Sequence, residues 1–275
     1  MRLRLCVLLA ALVAAFCLSG RLAQAQTQVD LELVLAVDVS LSMDMDEQRL
    51  QRDGYVAAFR DPEVWNAIRA GAAGRIAVVY IEWAGQLTQQ TVIPWTMVDG
   101  PQAAMAFADQ LEATPISRAR MTSISGALIY SAREIEQNPF KGVRRVVDVS
   151  GDGPNNSGVP AEVARDELVK KGIVINGLPI MLKRDQPSGF FDINNLDTYY
   201  NNCVIGGTGA FMIPVRERSE FRSATRRKLI LEISGLVPDE PARVIPAQAT
   251  PSPEPMDCMV GERMWRRYMD GQLFR

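Results

Sequence analysis

The sequence predicts an α/β fold, a doubly wound, mostly parallel sheet with helices on both faces and one antiparallel edge strand. Two observations predict it. Near-continuous apolar runs of strand length, at 31–37, 75–83, 143–149 and 172–180, alternate with helical segments, and a strand that is apolar throughout is one covered on both faces. Two of these runs also end in aspartate-bearing turns, at Asp38 and Asp152, where such sheets hold their ligands, outside the carboxyl ends of the strands.

Taken in order, the chain of 275 residues begins with a secretory signal over 1–25. Arg2 and Arg4 give the basic start, 5–18 the apolar stretch, and Ala23-Gln24-Ala25 the small-x-small cleavage pattern. An uncleaved anchor fits less well, because Gly20 and Arg21 interrupt the run. The expected product is periplasmic or secreted, cleaved near Ala25. The signal carries three arginines and no acid, so the mature chain keeps 27 of 30 basic residues against 32 acidic ones, a net charge of −5 that disfavours a polyanionic partner. Without any histidine, Ser-His-Asp and Cys-His catalysis and His-ligated zinc are excluded. Cys6 and Cys17 leave with the signal. Cys203 and Cys258 remain, either bridged or as two buried thiols.

Residues 26–236 read as one domain. Helices are expected at 46–60 and 63–70, and the β-rich run 91–95 lies so close behind the second strand that it predicts the antiparallel edge. A helix follows at 102–111. In 121–137, Ile124, Leu128, Ala132 and Ile135 repeat at the spacing of one buried face. Further helices are expected at 159–171, 192–201 and 217–234, with a last short strand at 210–214. Residues 237–255 carry Pro238, Pro241, Pro246, Pro251, Pro253 and Pro255, the composition of an extended linker. A C-terminal segment, 256–275, looks helical, with Met264, Trp265, Tyr268 and Met269 on one side and Arg263, Arg266 and Arg267 among them. It either docks on the domain or lies on a membrane surface.

The chemistry-bearing residues gather at the strand ends. Asp38, Ser40 and Ser42 stand at alternate positions after the first strand, all hard oxygen donors of the kind Mg²⁺ and Ca²⁺ take. The same residues also read as a helix N-cap with a polar first turn. Asp152, at the end of the 143–149 run, and Thr122, just before a helix, would converge on the same crevice if the two strands are neighbours where the winding reverses. Asp44 and Asp46 read as helix-start acids, and Trp83 and Trp95 as core, with Glu82 satisfied by a neighbour. Asp148 is either on a polar edge or buried and paired. Asn155 and Asn156 suggest a turn or a contact to a ligand above the metal.

These residues resemble the von Willebrand factor A-like domains and their metal-ion-dependent adhesion site. The resemblance rests on Asp38-Val39-Ser40-Leu41-Ser42, on Thr122 with Ala127-Leu128, and on Asp152-Gly153, in family order over about residues 31–235. It implies that Asp38, Ser40, Ser42, Thr122 and Asp152 hold one Mg²⁺, or Ca²⁺ or Mn²⁺, whose coordination a partner protein completes with an Asp or Glu. Arg52-Asp53-Gly54-Tyr55, Ile81-Glu82-Trp83-Ala84-Gly85, Asp148 through Asn156 and Val204-Ile205-Gly206-Gly207 are similar to a bacterial exported subfamily of unknown function, DUF1194. One departure is Ser150-Gly151-Asp152-Gly153, where many relatives have Thr-Asp-Gly.

The expected function is a non-enzymatic, cation-dependent protein-binding module of the bacterial cell envelope, of the adhesion or scaffold kind, with no nucleic acid and no stable membrane insertion. A metal-dependent phosphohydrolase with Asp38 as nucleophile is the competing reading. That chemistry usually wants a second carboxylate two residues on, where this chain has Ser40. A purely structural domain without metal is the third, against which the complete set of five side chains argues.

Overall fold

The computed structural model describes residues 26–182, 193–238 and 256–271. The expected signal and most of the proline-rich stretch lie outside them. Five strands, β1 (Thr27–Asp38), β2 (Ile76–Trp83), β3 (Gln89–Val98), β4 (Phe140–Gly151) and β5 (Val174–Pro179), form one sheet in the order β3-β2-β1-β4-β5. β1 runs parallel to both β2 and β4, β4 parallel to β5, and β3 antiparallel to β2 as the expected edge. The winding reverses at β1, which lies between β2 and β4, and Val37 pairs with Ser150, so Asp38 and Asp152 emerge from adjacent strands.

Alternation along β1 sorts its side chains to two cores. Val34 and Ala36 meet Val79, Ile81, Val147 and Val149 beneath α4 (Ile124–Gln137), α5 (Ala161–Lys170) and α6 (Leu196–Tyr199). Leu31, Leu33, Leu35 and Val37 face the other way, onto α1 (Met45–Phe59), α2 (Pro62–Arg69), α3 (Pro101–Ala113) and α7 (Phe221–Ser234). Each such aliphatic side chain gains about 1.5–3 kcal/mol from burial, and both faces must be covered for a run like 31–37, apolar except for Glu32, to be buried along its whole length.

Local chemistry sets the helix ends. Asp44 accepts the Asp46 and Glu47 amides at 2.9 and 2.8 Å while Glu47 returns a bond to the Asp44 amide, a reciprocal capping box that accounts for the acids at this helix start. Asp61 caps α2 ahead of Pro62, and α7 stops at Gly235, whose φ of 71° is the left-handed stop that glycine favours. α4 begins at Ile124 and not at residue 121, because Met121 is left-handed (φ 72°) and Ser123 serves as the cap.

Three expectations need correction. Residues 210–214 do not form a strand; the segment follows β5 through isolated parallel bridges at Met212 and Val215. Asn176 captures the Phe211 amide and Pro179, the β5 residue whose carbonyl takes the Val215 amide, has no amide to give in return, so the ladder breaks. The helix expected over 192–201 is the short α6, continuing into a π turn at Tyr200–Val204, and residue 192 lies outside the described residues. In the C-terminal segment the helix, α8 (Val260–Met269), starts four residues later than expected.

Cys203 and Cys258 form a disulfide that ties this segment to the domain. Met256, Cys258 and Val260 pack on the α4–α5 side of the core, so the segment is docked.

Two buried ion clusters complete the frame. Glu82 is paired with Arg52, as the core reading required, and Arg52 also donates to the Leu111 and Thr114 carbonyls at 2.8 Å. Asp148 is buried and paired, 2.6 Å from Lys228, which also bonds Glu232; Tyr55 and Asn176 donate to the two carboxylates at 3.2 and 3.0 Å.

Candidate metal site at the sheet edge

Asp38 is fully buried where β1 leaves the sheet, and its Oδ1 accepts the Ser40 amide at 2.7 Å, folding the loop back over the strand end. That turn brings the Ser40 and Ser42 hydroxyls within 2.7 Å of each other, and Ser42 donates to Asp152 Oδ1 at 2.6 Å. Two carboxylates from neighbouring strands are thus joined through two serine hydroxyls. The residues are not a helix cap: α1 is capped by Asp44, two residues further on.

Thr122 belongs to the adjoining loop, tied to the Asp152 loop through Asn156. The Thr122 amide donates to Asn156 Oδ1 at 2.9 Å and the Asn156 amide to the Thr122 carbonyl at 2.8 Å. Met121, just before it, holds a backbone conformation that costs a side-chain-bearing residue on the order of 1–3 kcal/mol, the kind of strain that collects at functional sites. Asn155, fully buried, receives the Ser125 amide at 3.0 Å in the first turn of α4. The asparagines therefore form a turn with a purpose, the joining of the loop after β4 to the loop before α4.

Burial, then the nearby Asp152 carboxylate, holds the Asp38 carboxyl well above the ordinary carboxylate range, with the bonds from Ser40 pulling the other way. Asp38 Oδ2 is buried without a hydrogen-bond partner and lies against Gly151, where an added Cβ would come within 2.8 Å of it. Among the described residues no group of three or more His, Cys, Asp or Glu is arranged for a metal, so a cation here would rest on two carboxylates, hydroxyls and water. An orphaned buried carboxylate oxygen, a second carboxylate and the serine hydroxyls beside them suit a hard divalent ion.

Several supporting residues carry no motif signal. Tyr200 is buried against the Gly151 carbonyl, its phenol pushed up by burial and then by Asp38 and Asp152. Gln48 donates to the Ser40 carbonyl at 3.3 Å, and Gln51 to the Ser150 hydroxyl. Both sit on the inner face of α1, so their spacing there was the available clue.

Comparison with known proteins agrees with this fold. The family described as "Protein of unknown function (DUF1194)" matches residues 28–237. No curated protein matches the chain. Among solved structures, the pilus adhesin SpaC from Lactobacillus rhamnosus GG is similar over 77% of this chain and 31% of its own, at 10% identity and a TM-score of 0.54. Proximal thread matrix protein 1 from the mussel byssus matches over 76% of this chain and 48% of its own (14% identity, TM-score 0.50). A von Willebrand factor type A protein from Catenulispora acidiphila matches over 75% and 43% (15% identity, TM-score 0.50). The chain spans about half the length of the mussel protein and less than a third of the adhesin. At these identities the likeness is one of fold, and the fold is that of a von Willebrand factor A domain.

Proposed function

The chain belongs to the DUF1194 family, and we propose that it is a divalent-cation-dependent protein-binding module of the bacterial cell envelope. The observation that carries this is the run of hydrogen bonds from Asp38 through the Ser40 amide and the Ser40 and Ser42 hydroxyls to Asp152, with Asp38 Oδ2 buried and unpartnered, at the strand ends where the winding reverses. Asp38, Ser40, Ser42, Thr122 and Asp152 would hold Mg²⁺, or Ca²⁺ or Mn²⁺. When bound, an ion ligated largely by hydroxyls and water stays under-neutralised and attracts a carboxylate from a partner.

The protein's own residues do the rest. Asp38 and Asp152 supply the charge, the serines fix the distance between them, and the Thr122–Asn156 pairing holds the second loop against the first. Ser40, where a phosphohydrolase would want its general acid, supports binding over catalysis. The signal over 1–25, the domain over 26–236 and the linker over 237–255 fit an exported module, and among the described residues no helix is long and apolar enough to cross a membrane.

The test is calorimetric titration of the mature chain with Mg²⁺, followed by capture of envelope proteins with and without chelator. Chelator-sensitive capture by the parent and none by Asp38→Ala is the expected pair of results. Phosphatase activity lost in that variant would replace this reading with the enzymatic one.

A further inference from the structure

We propose that residues 256–271 are a clamp, pinned by the Cys203–Cys258 disulfide, that positions the loop bearing Asp152 and, through it, the loop bearing Thr122. The proposal rests on the metal reading above. It starts from a contact too close for any side chain: at Gly261, the buried residue of α8, an added Cβ would lie 2.1 Å from the Asn155 carbonyl oxygen. The next residue, Glu262, accepts a bond from Asn155 Nδ2 at 2.7 Å. Backbone and side chain of one asparagine are thus both held by consecutive residues of the C-terminal helix.

Asn155 is the right residue to hold. It lies three positions after Asp152 and is fully buried, so each donor and acceptor of its side chain calls for a partner. Its Nδ2 also reaches the Val159 carbonyl at 3.1 Å, its own amide meets the Tyr199 phenol at 3.2 Å, and its Oδ1 accepts the Ser125 amide. Asn156, the neighbour, makes the two bonds to Thr122, and Ser123 donates to the Ser157 carbonyl at 2.6 Å. A continuous path therefore runs from Cys203 through Cys258 and Glu262 to Asn155 and both site loops.

The disulfide explains how so small an element can do this. A ten-residue helix is marginal in water by itself, and Tyr268 and Met269 stay exposed at its far end, so little of α8 is held by burial. Covalent attachment at Cys258, two residues before α8 begins, keeps Gly261 and Glu262 at a high local concentration over the loop. Gly261, Glu262 and Asn155 are accordingly positioning residues, not ligands.

The test reads loop order without metal, then metal affinity. Amide hydrogen exchange of the full mature chain in chelator is compared for the parent, Gly261→Ala, Glu262→Ala, Glu262→Gln and the double variant Cys203→Ser/Cys258→Ser. Exchange at Thr122, Ser125 and Asn156 should quicken by about tenfold in Gly261→Ala, Glu262→Ala and the double variant, with β1 and β4 amides unchanged. Glu262→Gln, which keeps an acceptor for Asn155, should restore the parent rate. Mg²⁺ affinity should fall in the same variants by about fivefold or more. Unchanged exchange in both Gly261→Ala and Glu262→Ala would overturn the clamp; if the double variant fails to fold, these two, which keep the disulfide, decide. Faster exchange with unaltered Mg²⁺ affinity would overturn the link to the site. No Mg²⁺ binding by the parent would overturn the metal reading, while the exchange arm still judges the clamp.

Discussion

Strand β4 carries one buried aspartate, Asp148, and leads at its end into a second, Asp152, and the protein treats them oppositely. Asp148 shares its surroundings with Glu232, and Lys228 reaches both, with Tyr55 and Asn176 adding donors. Asp152 shares its surroundings with Asp38, and Ser40 and Ser42 stand between them. Both clusters place two carboxylates where water is scarce, a costly arrangement unless a positive charge answers it. One pair has its counter-charge in the sequence. At the other, Asp38 Oδ2 is buried without a hydrogen-bond partner, a geometry that suits an ion from solution.

Breaking the first cluster should produce the largest effect. Lys228→Ala strands two buried carboxylates, and removal of one partner of a buried ion pair costs about 3–5 kcal/mol; chemical denaturation should show that loss with or without Mg²⁺. A variant as stable as the parent would mean that the lysine is not the counter-charge.

Asp38→Ala attacks the second cluster and should behave in reverse. Divalent-ion affinity should fall by at least about a hundredfold, some 2.7 kcal/mol. Stability in chelator should hardly move, since the lost Ser40 bond is offset by the removal of a desolvated charge. Equal Mg²⁺ affinity in calorimetry for parent and variant would defeat the site. Because burial and Asp152 raise the Asp38 carboxyl, protons compete with the ion, and affinity should weaken as the solution is acidified.

The pH dependence of folding sharpens the contrast. Burial, then Asp148, pushes the Glu232 carboxyl up to about 7 from 4.5, against the pull of Lys228. The native chain then binds more protons than the unfolded one between those values. This contribution is therefore complete below pH 4.5 and lost as pH rises through 7. Glu232→Gln, which does not titrate, should flatten that slope by about 2 kcal/mol, measured as urea stability at pH 5 and pH 8 in chelator. An unchanged slope would place the titration elsewhere.

Ser40→Ala should have the smallest effect, about a tenfold loss of Mg²⁺ affinity or 1.4 kcal/mol, because water can occupy the vacated position. A loss as great as that of Asp38→Ala would show that the hydroxyl does more than fill a coordination place.

What the sequence determined by itself is the frame and where the candidate oxygen donors fall on it. Near-continuous apolar runs, such as 31–37 with Glu32 as its one polar residue, call for cover on both faces, and that requirement gives a parallel sheet between helix layers, with Asp38 and Asp152 at the carboxyl ends of its strands. The edge strand was legible from its short distance behind β2, and the oxygen donors from their alternate spacing. Tertiary structure decided what depends on distant partners. Whether Cys203 met Cys258, whether Asp148 lay at an edge or found Lys228, and whether Asn155 and Asn156 merely turned the chain were open, because each answer requires residues tens of positions apart to come within hydrogen-bonding or covalent reach. Residues 210–214 failed as a strand for the same reason: their apolar pattern is local, but the Asn176 side chain that takes the Phe211 amide belongs to another element. The placement of Gly261 on the Asn155 carbonyl is the extreme case, since a glycine in a helix advertises nothing until the backbone it must accommodate is known.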